Sequence, residues 1–180
     1  VSLFIAFLRA INVGGRTVTM NRLRAHFEAL RLTGVATFIA SGNVIFESAD
    51  ADAGALERRI ETGLARALGY EVDTFLRTPA EVAAVASGAP LAVPEDGVSR
   101  LFVGFLREHP PAPAKKRALA LRSDTDELRV EGREVYWLCR ASMAESPVSG
   151  SAIEKALGMR TTLRNINTVR RLAARYAPAE

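Results

Sequence analysis

The chain has 180 residues, of which 48% are hydrophobic and 24% charged, a globular composition that excludes disorder as its main state. One cysteine and two histidines exclude a disulfide framework and leave too few ligands for structural zinc. Lys plus Arg outnumber Asp plus Glu by 24 to 20, an excess that favours anionic partners only mildly, since a charge of this size is also ordinary solubility.

Residues 3–8 form an apolar run without the basic flank of a signal peptide, and they read as a strand. A helix follows, with Met20, Leu23, Phe27 and Leu30 on one face. Next comes a hairpin with a tight turn at Ser41-Gly42-Asn43, flanked by TFIA and VIFES. A second helix over residues 52–68 carries Leu56, Ile60, Leu64, Ala67 and Leu68 on its apolar side and stops at Gly69, and residues 71–77 return as a strand. This βαββαβ order over residues 1–78 is the ferredoxin-like unit.

Residues 79–99 read as a linker with a short helix over residues 79–87. Residues 100–165 repeat the order with a strand at 101–106, a helix at 113–121, a hairpin around Gly132, a helix at 152–157 and a strand near Thr161. Ser151 and Glu154 fit a capping box at the last of these helices. Residues 166–180 add a C-terminal helix with no counterpart in the first copy. No apolar stretch approaches the roughly 18 to 20 residues of a membrane span, and together with the lone thiol this makes the expected location cytoplasmic, without membrane contact.

Internal repetition supports the two copies. FIAFLR at 4–9 matches FVGFLR at 102–107, SGN at 41–43 matches EGR at 131–133, and ALG at 67–69 matches ALG at 156–158, all in the same order. The expected fold class is therefore α+β, a tandem duplication of two ferredoxin-like (βαββαβ) units with a C-terminal helix, forming one compact structural unit. The offset falls from 98 at the first strand to 90 at the hairpin, so the first copy carries about eight extra residues between them, assigned to AINVGGRTVT at 10–19. A loop elaborated on one copy of a duplicated scaffold is where binding residues are expected.

Three stretches also carry a resemblance. RAINVGGR at 9–16, SGNVIF at 41–46 and TLRNINT at 162–168 closely resemble the signature stretches of the DUF1697 family, a bacterial domain of unknown function whose first signature usually reads RGINVGG. The resemblance covers essentially the whole chain and implies the duplicated ferredoxin-like fold. It implies no activity and no catalytic residues. Ala10 stands where the family usually has Gly, which weakens any role that needs a positive φ there.

Physically, Gly14-Gly15-Arg16 between a strand and a helix can aim backbone amides at an anion, with the helix dipole and the guanidinium adding positive potential. A P-loop would need Gly at 10 and Lys at 16, and the chain has Ala10 and Arg16. Near the C-terminus, Arg164 and Asn165 precede a helix for which Asn167 is the expected N-cap. The candidate ligand-binding residues are thus Arg9, Asn12, Gly14, Gly15, Arg16, Ser41, Asn43, Arg164, Asn165 and Thr168.

Other chemistry is thinner. Cys139 sits in the apolar run VYWLC as a core residue, and neither His26 nor His109 is spaced to serve it as a base. SGNVIFES places Asn43 and Ile45 where RNA-recognition modules carry stacking aromatics, which disfavours nucleic acid, although Tyr136 and Trp137 leave one stacking platform open. The leading expectation is a small anionic or phosphorylated ligand bound at the loop between the first strand and first helix. The alternatives are an enzyme acting on a phosphorylated or acyl small molecule in the same cleft, and a nucleic-acid-binding module. No catalytic residue, metal site or cofactor is assigned.

Overall fold

In the computed structural model, which describes residues 1–39 and 42–178, one series of seven elements occurs twice. The first is β1 (Ser2–Leu8), α1 (Met20–Ala29), β2 (Thr33–Thr37), β3 (Asn43–Ser48), α2 (Ala53–Leu68), β4 (Thr74–Arg77) and α3 (Pro79–Ser87). The second is β5 (Arg100–Phe105), α4 (Ala112–Leu119), β6 (Asp126–Glu131), β7 (Glu134–Cys139), α5 (Gly150–Leu157), β8 (Thr162–Asn165) and α6 (Ile166–Arg175). The C-terminal helix therefore does have a counterpart, because α3 follows β4 as α6 follows β8. The strands form two antiparallel four-stranded sheets of matching order, β2-β3-β1-β4 and β6-β7-β5-β8.

Contacts divide the chain into two units, residues 1–83 together with those from Leu172 onward, and residues 84–171. In unit 1, α2 is started by Asp52, whose carboxylate accepts from the Ala55 amide, and ended by Gly69 in the left-handed region (φ +80°). Its buried Leu56, Ile60 and Leu64 recur every four residues on one face. They pack with Leu23 and Phe27 of α1 against Phe4, Ala6 and Leu8 of β1 and Val44 and Phe46 of β3. Phe46 lies between Phe4 and Phe27, at ring-centroid distances of 5.8 and 5.7 Å. Ile5, Phe7, Ile45, Phe75 and Arg77, on the other face of the same sheet, are buried as well, so β1 reads as a continuous apolar run and not as an alternation. The outer edge of β4 is closed by α2, since Glu61 and Glu57 accept from the amides of Thr74 and Leu76, both at 3.0 Å.

Unit 2 packs Ala114 and Ala118 of α4 and Ile153 and Leu157 of α5 against Leu128, Val135 and Trp137. A β-carbon at Gly104 would stand 2.6 Å from Val135 and 2.7 Å from Thr161 Oγ1, which is why this strand carries Gly where the first copy has Ala6. Asp126 is a buried node. It accepts from Trp137 Nε1, Ser146 Oγ and Ser123 Oγ, each at 2.7 Å, and from Thr125 Oγ1 at 3.0 Å. Desolvation raises its pKa, but these donors together outweigh it and hold the carboxyl below its ordinary value.

Three local expectations are corrected. The N-cap of α5 is Ser149, which accepts from the Ala152 amide at 3.1 Å; Ser151 already lies inside the helix, and Glu154 instead accepts from the Thr161 amide. The last helix begins at Ile166, and it is Asn165 whose side chain accepts from the Asn167 amide at 2.9 Å. The first hairpin is not a tight turn, because β2 ends at Thr37 and five residues precede β3.

Candidate functional site

The extra length of the first copy is divided between two loops. Residues 9–19 join β1 to α1, whereas only residues 107–111 separate the equivalent Leu106 from α4; residues 38–42 join β2 to β3, whereas Gly132 and Arg133 alone join β6 to β7. The two long loops pack on each other. A β-carbon at Gly42 (φ +77°) would stand 2.6 Å from Ile11 Cγ2 and 3.2 Å from Leu8 Cβ, and the Leu8 amide donates to the Gly42 carbonyl at 2.9 Å. Glycine supplies both the conformation and the space.

In the β1–α1 loop the backbone is left-handed at Ala10 (φ +55°), Asn12 (+59°), Gly14 (+64°) and Gly15 (+79°). Asn12 tolerates this conformation, and its Oδ1 accepts from the Val18 amide at 2.6 Å, closing the loop. Ala10 keeps the left-handed backbone without glycine's freedom, at a cost of about 1–2 kcal/mol. Two arginines tie the loop to the connection between α2 and β4. The Arg9 amide donates to the Asp73 carbonyl at 2.9 Å and its guanidinium lies 3.9 Å from the Asp73 carboxylate, while Arg16 Cζ stands 4.3 Å from the centroid of the Tyr70 ring. Gly14 and Gly15 between these anchors are exposed, and a β-carbon on either would meet no atom within 4 Å.

Asn43 is buried and its Nδ2 donates to the Phe38 carbonyl at 2.9 Å, so it closes the β2–β3 loop. Ser41 lies outside the described residues. The cleft between the loops, lined by Asn12, Val18, Met20, Leu23, Thr37, Ile39, Gly42 and Asn43, has a free volume of about 10 Å³, room for about one water. That cleft has no room for a ligand of metabolite size. Tyr70 and Asp73 were not among the expected residues; their only sequence signal is the helix stop at Gly69 immediately before them.

Arg164, Asn165 and Thr168 belong to unit 2. Arg164 does not face solvent. Its Nη1 donates to Thr162 Oγ1 at 2.7 Å and to the Leu163 carbonyl at 2.9 Å, and burial lowers its pKa to about 10. It lies opposite Val103 in the sheet register as Arg77 lies opposite Ile5, and Arg77, also buried, donates to the Leu76 carbonyl. The two are equivalent residues of the duplication. Tyr136 and Trp137 are both buried, so neither offers an exposed base-stacking surface. Cys139 is buried, with its thiol donating to the Ala141 carbonyl. Among the described residues, no helix is long and apolar enough to cross a membrane and no group of three or more His, Cys, Asp or Glu is placed to hold a metal ion.

A family model described as a protein of unknown function (DUF1697) matches residues 1–136. No curated protein matches the chain. Among solved structures, a conserved bacterial protein from Streptococcus pneumoniae superimposes with a TM-score of 0.74 at 22% sequence identity, covering 98% of this chain and 99% of its own. That likeness shows the fold.

Proposed function

Because the chain belongs to the DUF1697 family of proteins of unknown function, we propose its role from the site itself: it binds a small anionic or phosphorylated ligand on the β1–α1 loop. The observation that carries this reading is the pair of adjacent left-handed glycines, Gly14 and Gly15, exposed and with open space around each, followed directly in the chain by Arg16, whose guanidinium stands over the Tyr70 ring. Consecutive turn amides beside a guanidinium favour an oxyanion. The anchors at Asn12, Arg9 and Arg16 support the same reading, since a loop held in its binding conformation loses less entropy when a ligand arrives.

Titration with inorganic phosphate and simple phosphomonoesters, followed by the amide resonances of Gly14 and Gly15, tests the proposal. Saturable shifts at these two amides that weaken by about tenfold in Arg16→Ala, the loss of one charge-assisted contact, are the expected result. Shifts spread over the basic surface, or equal affinity in wild type and Arg16→Ala, would refute it.

A further inference from the structure

Unit 1 contains a second concave feature, far from a single water in size. Between the end of α1 and the first half of α2 lies a groove of about 390 Å³, with Leu30 and Ala49 on its walls and Arg31, Asp50 and Arg59 around it. That volume falls in the range of small-molecule sites. Among the described residues, neither guanidinium takes part in a side-chain hydrogen bond or an ion pair. The one carboxylate present, Asp50, uses Oδ1 to accept from the Asp52 amide, and the Asp50 amide itself donates to Ser48 Oγ.

Arg31 is also conformationally out of place. It follows the α1 C-cap Leu30 at φ +62°, a left-handed position that costs an L side chain but not glycine. The chain uses glycine for the same task at the ends of α2 and α5, where Gly69 and Gly158 are left-handed. Arg31 is exposed, so burial of its stem does not offset the strain. Local choices that oppose the fold without a packing gain mark functional positions.

We propose that this groove is a binding site for a small organic acid: Arg31 and Arg59 hold its carboxylate, Asp50 accepts from a hydroxyl or ammonium group on its α-carbon, and its apolar side chain lies on Leu30 and Ala49. The charges set this chemistry. Two guanidinia against one carboxylate leave a single positive charge for one anionic group, and arginine meets a carboxylate through paired parallel hydrogen bonds. The site is independent of the Gly-Gly loop, and its ligand needs no phosphate.

The test uses three probes of one carbon skeleton, L-leucine, its α-hydroxy analogue and isocaproate, titrated into the full chain and read at the amides of Arg31, Asp50 and Arg59. At least one donor-bearing probe is expected to bind about tenfold more tightly than isocaproate, whichever of ammonium or hydroxyl Asp50 prefers, and to weaken by about tenfold in Arg59→Ala. Equal affinity of all three, or no saturable shift up to about 50 mM, overturns the proposal. Arg31→Gly separates a ligand role from a structural one. Loss of probe binding with the unliganded Tm unchanged or raised by up to about 4 °C is expected, because strain is removed. A fall in that Tm would make Arg31 a neutraliser of the α1 C-terminal dipole and would overturn the assignment.

Discussion

Gly42→Ala tests whether the two long loops of unit 1 are built against each other. The new β-carbon would have to occupy a left-handed position and stand 2.6 Å from Ile11 Cγ2. The first effect costs about 1–2 kcal/mol and the second, an overpacked contact, about 1–3 kcal/mol. Alanine's smaller unfolded-state entropy returns about 0.4–1 kcal/mol, leaving a net loss of about 1–5 kcal/mol. Gly15→Ala is the internal control, since φ is +79° there but no atom lies within 4 Å; its expected cost is about 1 kcal/mol. Trp137, the single tryptophan, reports on unit 2, so the suitable probe is hydrogen exchange at the Leu8 amide, which donates to the Gly42 carbonyl. Ile11→Leu removes the offending branch methyl. In that background the cost of Gly42→Ala should fall towards that of Gly15→Ala, a coupling of about 1–3 kcal/mol. If the two glycine substitutions cost the same within about 0.5 kcal/mol, the packing argument fails.

Ala10→Gly should stabilise the chain by up to about 1 kcal/mol, the relief of left-handed strain less glycine's entropy, and a lowered Tm in thermal unfolding would contradict this. The pH dependence of urea unfolding should fall in Asp126→Asn. Asp126 has a folded pKa below its ordinary 3.8, so its contribution is present above about pH 4 and is lost as pH falls through the folded value. Asp96 acts with the same sign, because the Ser99 hydroxyl and the Ser99 and Val98 amides hold it at about 2. Asp126→Asn should therefore flatten the acid loss in part, and adding Asp96→Asn should flatten it further; an unchanged slope in both variants would refute the assignment.

The sequence made the frame legible where one residue type carries one physical signal. Asp52 and Gly69 bound α2 because a carboxylate satisfies free amides and glycine adopts φ +80°, and both positions could be read directly. Where two residues could do the same work, only the structure decides. Ser149 and Ser151 both stand at the start of an apolar helix, and Asn165 and Asn167 both stand at the start of the last one, but it is Ser149 and Asn165 whose side chains accept from the first-turn amides. The candidate site was half legible. Its turn conformation follows from Gly14 and Gly15, whereas the contact of Arg16 with Tyr70 joins residues far apart in sequence with no pattern connecting them. The groove at Arg31 was hidden for a different reason: an arginine near a helix end reads as a solvated charge until its φ is known.

The comparison of the two copies assigns the arginines to different tasks. Arg77 and Arg164 occupy the same register position, are both buried, and each donates to the carbonyl of the residue before it. A feature present in both copies accompanies the shared frame, and a buried guanidinium that donates to the backbone of its own strand serves that frame. Arg164 therefore has the environment of a scaffold residue, even though it lies in a signature-like stretch. Arg16 and the Gly-Gly turn have no counterpart in unit 2, where residues 107–111 run directly from strand to helix. The two loops lengthened in unit 1 are also the two that contact each other at Gly42 and Ile11. The two loops therefore brace each other, and the part of this pair that leaves backbone open to solvent, at Gly14 and Gly15, is where the proposed ligand would bind.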